Sequence, residues 1–314
     1  MDEILTKLVE GLKNKERWAL GKALTLMEST LTSDEQLAPK IFQSVNNSTK
    51  SHSILSPKVI GISGAPGVGK SSFIEAVGLE ILNTDPSANI FVFSVDPSSE
   101  LTGGSILGDK TRMTKLSAHP RCYIRPSPSK SALGGLSPKT FKVLELVKKL
   151  HFSYIFIETV GVGQSESTVR FMCDLFCLLI APGLGDDLQA MKRGILEHID
   201  VAVVNKSDGT KEQMLAADLT KKHYEQSLEE LRHQKIPVYL ASTVTQLGIK
   251  EFAHLLQTQI FKKSNAMDEE LKKILFLQEW QKIAQNWLNT LSNQELENVI
   301  FQLNENIALC AKSI

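Results

Sequence analysis

The sequence lacks an excess of either charge: lysine plus arginine and aspartate plus glutamate number 35 each, for a formal net charge of zero. Charge therefore predicts no nucleic-acid or other polyanion surface. No apolar run approaches the roughly 20 residues that cross a bilayer. The opening Met1-Asp2-Glu3-Ile4 has neither the basic nor the apolar region of a signal peptide. A cytoplasmic protein without a membrane segment is the expectation. The four cysteines, Cys122, Cys173, Cys177 and Cys310, form no C-x-x-C pair and suggest no disulfide framework. Cys173 and Cys177 have the spacing of ligands on one helical face, but they bracket or join the apolar run Leu175–Ile180, so buried thiols in or beside a strand are preferred to a metal site. The seven histidines are scattered, and no Cys/His cluster, internal repeat or low-complexity segment is found.

What is there falls into three parts. At 314 residues the chain has material for one large domain or two modest ones, at about 150 residues per domain. Residues 1–50 read as an N-terminal helical region, with Ile4, Leu5, Leu8, Val9 and Leu12 and then Trp18, Leu20, Ala23 and Leu24 at helical spacing. Within 51–262, short apolar runs at 58–63, 89–96, 154–158, 175–181, 201–205 and 238–241 alternate with helical patterns. That alternation predicts an α/β fold, a mostly parallel sheet with helices on both faces. Residues 263–314 turn helical again, with Leu271, Ile274, Trp280, Trp287, Leu296 and Ile300 apolar. A dimerisation arm is preferred to a segment folded back on its own core.

The most specific string is Gly64-Ala65-Pro66-Gly67-Val68-Gly69-Lys70-Ser71-Ser72, which fits G-x-x-x-x-G-K-[ST] directly behind a predicted strand and ahead of a predicted helix over 72–82. The glycines allow successive backbone N–H groups to face phosphate oxygens. Lys70 adds a cation toward the β and γ phosphates, and the Ser71 hydroxyl suits Mg²⁺. A nucleoside triphosphate is predicted, with the helix N-terminus toward the anion. The base is indicated by Asn205-Lys206-Ser207-Asp208 at a strand end. A carboxylate at Asp208 accepts from the ring N–H and exocyclic amine of guanine, and adenine would leave it unpaired at a cost of about 1–3 kcal/mol. Ser242 and Thr243, after the last strand, stand where a short Ser-Ala element usually backs the base. GTP and GDP with Mg²⁺ are thus the expected ligands.

Three further loops lie between these motifs. Asp96 and Asp109 are joined by a run of glycines and hydroxyls, which suits a mobile loop closing over Mg²⁺ directly or through water; two solvated loop aspartates are the plainer alternative. Glu158-Thr159-Val160-Gly161 takes the place of the D-x-x-G switch, with Glu158 for the aspartate and the Gly161 N–H toward the γ-phosphate. The next residue, which in small regulatory GTPases is a water-orienting glutamine, is Val162, with Gln164 two further on. Slow hydrolysis by the isolated chain is expected. The loop 182–193 is glycine-rich and charged, and composition leaves it open between a moving element and an ordinary strand-to-helix connection.

The strings GAPGVGKSS, VDPSSELTGGSILGDKTRM, RPSPSKSALGGLS, ETVGVGQSE, PGLGDDLQAMKRGI and NKSDG resemble those of the MeaB/ArgK GTPase family, in the SIMIBI class of P-loop GTPases. The resemblance implies a homodimer that serves adenosylcobalamin-dependent methylmalonyl-CoA mutase, or a related cobalamin-dependent mutase, by gating cofactor loading and protecting the enzyme. It also implies that Lys70 and Ser71 bind phosphate and Mg²⁺, that Asp96, Asp109 and Glu158 surround the metal, and that Asn205 and Asp208 read guanine. The loop 182–193, with Lys192 at its end, would be a third switch. Lys70, Asp109, Glu158, Gln164 and Lys192 are accordingly the expected catalytic group. Ser131 stands where the family often has glycine, and Asp187 where it often has glutamate. Other readings are a nickel-type metallochaperone, which would carry Cys/His motifs absent here, and a stand-alone regulatory GTPase with no mutase client.

Overall fold

The computed structural model describes residues 2–29, 31–48, 57–96, 113–128, 138–159, 169–170, 172–183 and 196–259. The chain divides into two units, Met1–Ser264 and Asn265–Ile314, and the second lies outside the described residues.

Strands β1 (Lys58–Gly64), β2 (Ile90–Asp96), β3 (Cys122–Pro128), β4 (Tyr154–Glu158), β5 (Leu175–Ile180), β6 (Val201–Val204) and β7 (Val238–Leu240) form one seven-stranded sheet in the order β3-β2-β4-β1-β5-β6-β7. Every pairing is parallel, as the alternating pattern predicts. Strands covered on both faces need continuous apolar runs, and β4, β5 and β6 are buried at every position. Because all strands run the same way, their C-terminal ends share one edge of the sheet. There the order reverses around β1, between β4 and β5, and such a switch point opens a crevice for ligands.

Strand β3 does not stand out in the sequence because prolines 126 and 128 interrupt it. It occupies the sheet edge, where a missing N–H donor is tolerated. Helix α4 (Lys70–Thr84) packs through Phe73 against Phe252 of α8 (Ile249–Thr258), with ring centroids 5.0 Å apart in an edge-to-face arrangement. Carbonyls at and just beyond its C-terminus are gathered by Arg121, which donates to Leu82 O at 2.5 Å, Asp85 O at 2.8 Å and Ala88 O at 2.8 Å.

The N-terminal region forms α1 (Asp2–Lys13), α2 (Arg17–Glu28) and α3 (Thr32–Ser48), in line with its helical spacing. Helix α2 is tied to the sheet edge by Arg17, whose guanidinium donates to the carbonyls of Ser117, His119 and Cys122, and by a 2.5 Å ion pair between Glu28 and Arg125 of β3. Helices α5 (Thr114–Ala118), α6 (Pro138–Lys149) and α7 (Lys211–Arg232) complete the described elements. No helix among the described residues is long and apolar enough to cross a membrane.

Candidate functional site

The phosphate loop leaves β1 at Gly64 and enters α4 at Lys70. Gly64 has φ 143°, and a Cβ there would lie 2.3 Å from the Leu179 carbonyl oxygen of β5. Gly69, the helix N-cap at φ 98°, would bring a Cβ within 2.6 Å of Asn205 Nδ2. Only glycine satisfies both the dihedral and the space at these two points. The Lys70 ammonium bridges the loop it belongs to, donating to Gly64 O at 2.7 Å and Ala65 O at 3.1 Å. It is 8% exposed, so a phosphate beside it would meet a cation in a poorly hydrated setting. Pro66, Gly67 and Ser72 are exposed, Val68 is buried in the core, and Ala65 and Ser71 are half-buried.

At the first turn of α4, Ser71 Oγ donates to Glu158 Oε1 at 2.7 Å, and from β2 Ser94 Oγ donates to Glu158 Oε2 at 3.0 Å. Glu158 ends β4 and is 6% exposed. Next to it, Thr159 Oγ1 donates to Ser63 Oγ at 3.1 Å and its N–H to Ile62 O at 3.0 Å, so the stem of the predicted switch is fastened to the strand that carries the phosphate loop. A serine hydroxyl and a carboxylate are hard oxygen donors of the kind Mg²⁺ takes together with phosphate and water, and the pair fits that ion. Among the described residues no three His, Cys, Asp or Glu side chains cluster as metal ligands. The thiols agree with the buried reading: Cys122 and Cys173 are pushed up to about 12 by burial, and Cys177 well above its ordinary value.

The base loop follows β6 and is braced from below. Asn205, 1% exposed, donates through Nδ2 to Val68 O at 2.9 Å, while its buried Oδ1 has no hydrogen-bond partner among the described residues. Lys206, at φ 61°, donates to Gly67 O at 2.8 Å. The Ser207 hydroxyl donates to Val204 O at 2.7 Å and its N–H to Ala241 O at 2.9 Å. Asp208 is half-buried, and Thr210 just beyond it starts α7 with a reciprocal capping box to Gln213. Ser242 is fully buried, its hydroxyl accepting from Val244 N and Thr245 N at 3.1 Å each, so it braces the loop in which half-buried Thr243 sits.

The C-terminal ends of β1, β4, β6 and β7 thus bring together residues 64–71, Glu158, residues 205–208 and residues 242–243. Asp96 is the last residue of β2, paired in register with Pro128. Asp109, Gly161, Val162, Gln164, Ser131, Asp187 and Lys192 lie outside the described residues. Ser94 was not singled out by the sequence; its one signal is a hydroxyl in an otherwise apolar strand, Ile90-Phe91-Val92-Phe93-Ser94-Val95.

The family model described as "Methylmalonyl Co-A mutase-associated GTPase MeaB" matches residues 20–302. The chain belongs to the MeaB family. Within that family, GTPase ArgK of Escherichia coli is 33% identical over 305 residues, 95% of this chain and 86% of that protein. A Mycobacterium tuberculosis protein named "Probable GTPase Rv1496" is 45% identical over 219 residues, and the chain spans 63% of its length and 69% of its own. The mitochondrial methylmalonic aciduria type A homolog of Mus musculus is 44% identical over 214 residues, 67% of this chain and 50% of that protein. Among solved structures, one titled as a LAO/AO transport system kinase superposes with a TM-score of 0.68 at 25% identity, covering 100% of this chain and 94% of the other, and it shares the P-loop α/β core.

Proposed function

We propose that this protein is a GTP-hydrolysing G protein that acts on methylmalonyl-CoA mutase, or a related cobalamin-dependent acyl-CoA mutase, by gating adenosylcobalamin loading and protecting the mutase. Membership of a family described as mutase-associated GTPases carries the client half of this reading. The juncture of Asn205 and Lys206 with the phosphate loop supports the guanine-nucleotide half.

In this reading the backbone N–H groups of residues 67–71 and the Lys70 ammonium hold the β and γ phosphates, Asp208 accepts from guanine, and Ser71 and Glu158 face Mg²⁺. An ion held there would neutralise charge on the phosphate oxygens. Hydrolysis adds water to the γ-phosphorus, breaks its bond to the β–γ bridging oxygen, and gives GDP and phosphate. Val162, unable to orient water, leaves turnover by the isolated chain slow, and a group ordered by the client would add about 10³–10⁵ in rate. The loops around Asp109, Gln164 and Lys192 would transmit nucleotide state, residues 263–314 would pair two copies, and the site of action would be cytoplasmic.

The test is GTP turnover with and without methylmalonyl-CoA mutase from the same cell, together with size-exclusion chromatography of the mixture. Stimulated turnover in a shared peak is expected. Turnover that ignores the mutase, with no complex, would leave a GTPase with a different client and defeat the mutase half.

A further inference from the structure

We propose that Ser94 is a positioning residue for Glu158, fixing the carboxylate so that Ser71 presents its lone pairs to Mg²⁺. This rests on the reading of Ser71 and Glu158 as the metal-facing pair.

Strand β2 lies between β3 and β4, and Phe91, Val92 and Phe93 are buried in its run. Ser94 is 1% exposed in the same strand. A buried hydroxyl is costly there unless it is partnered. Its partner is the Glu158 Oε2 atom of the neighbouring strand, at 3.0 Å. The other oxygen, Oε1, accepts from Ser71 at 2.7 Å. The two hydroxyls therefore hold the two carboxylate oxygens from different elements, β2 and α4, and the bond from Ser94 adds to what sets the plane of the carboxylate.

That plane matters because Ser71 has one proton and two lone pairs. With the proton committed to Oε1, both lone pairs are directed away from Glu158 and are available to a cation. A carboxylate less firmly oriented would loosen the proton's direction, and ordering the pair would then weaken metal binding. Ser94 acts through Glu158 and is assigned no contact with metal or nucleotide.

The experiment compares native protein with S94A, S94C and S94T, measuring mant-GDP affinity by fluorescence in EDTA and across a titration of free Mg²⁺, with melting temperature as the check on folding. Cysteine keeps the volume but is a weak donor, and threonine keeps the hydroxyl. All variants are expected to bind alike in EDTA. S94A and S94C are expected to lose about tenfold of the Mg²⁺-dependent tightening, as for a hydrogen bond to a charged group, and S94T to retain it. Should S94A fail to fold, S94C against S94T decides. A native Mg²⁺ response in S94C, or equal losses in S94C and S94T, would overturn the positioning role. A native protein whose affinity ignores Mg²⁺ would overturn the metal-facing reading and the proposal together.

Discussion

Asn205 donates its side-chain amide to the carbonyl of Val68, 137 residues earlier in the chain, across 2.9 Å. The loop proposed to read the base is thereby attached to the loop proposed to hold the phosphates, and Lys206 repeats the attachment at Gly67 O. Removing the amide in N205A unpairs a buried carbonyl and opens space beside Gly69. A stability loss of about 1–3 kcal/mol is expected, with weaker binding of GDP in the same variant. Thermal denaturation with and without GDP checks both, and an N205A protein that melts and binds as the native one does would show the two loops to be independent.

Asp208 tests the choice of base. In D208N the acceptor proposed to face the ring N–H and amine of guanine becomes a donor, which suits the carbonyl that xanthine carries in place of that amine. Competition binding should show GTP weakened by about a hundredfold, as for lost bonds to a charged acceptor, and XTP gaining on it. An unchanged ranking of GTP, ITP and XTP would remove Asp208 from base reading.

Lys70 tests the phosphate loop. Its ammonium already spans Gly64 O and Ala65 O, so K70A removes both a loop brace and the cation proposed to face the phosphates. GTP affinity should fall by about tenfold to a hundredfold, with turnover lost. Undiminished turnover by pure K70A protein would defeat the assignment.

How much of this was legible follows from which signals are local. The strings behind the proposed phosphate and base loops are contiguous residues, and the parallel sheet is read from strands that are apolar on both faces. The edge strand β3 was not, because its two prolines argue against a strand unless its place at the sheet edge is known. Ser94 was missed for a related reason: a lone serine in an apolar run acquires meaning only when β4 is laid beside β2 and Glu158 is found opposite. The turning of the Ser242 hydroxyl into its own loop, where it takes two N–H donors, depends on how residues 242–247 fold back. Motifs show residue types, but pairing across strands comes only with register.

Acid should loosen the far end of the phosphate-loop helix through Asp85. Its carboxylate accepts from the Ser87 hydroxyl at 2.6 Å and from the Ser87 and Ala88 N–H groups at 2.8 and 3.2 Å, and these bonds, the hydroxyl foremost, hold its pKa below the ordinary 3.8. A carboxylate lowered in the folded state adds stability above its unfolded pKa and loses it as pH falls through the folded value. D85N should therefore cost about 0.5–1 kcal/mol near neutrality, a small sum because the group is well solvated. That difference should shrink as pH drops below the ordinary value. Urea melts of the two proteins at a series of pH values check this, and a D85N deficit that persists unchanged in acid would contradict it.

The two glycines at the start and middle of the phosphate loop separate steric from conformational need. At Gly67, φ is 79° but a Cβ would meet nothing within 4 Å, so alanine there pays only for the left-handed backbone, about 1–2 kcal/mol. At Gly64 the φ of 143° is joined by a Cβ position 2.3 Å from the Leu179 carbonyl oxygen, a backbone atom of β5 held in the parallel ladder with β1 and β6. Neither partner can yield without shifting a central strand. G64A is therefore expected to lose about 2–4 kcal/mol, more than G67A, although G67A changes a residue nearer the solvent-facing crest of the same loop. Melting the two variants side by side without nucleotide makes the comparison independent of ligand binding. Equal losses would mean that the close approach of β1 to β5 at Gly64 does not constrain the loop, and that conformational preference alone selects both glycines.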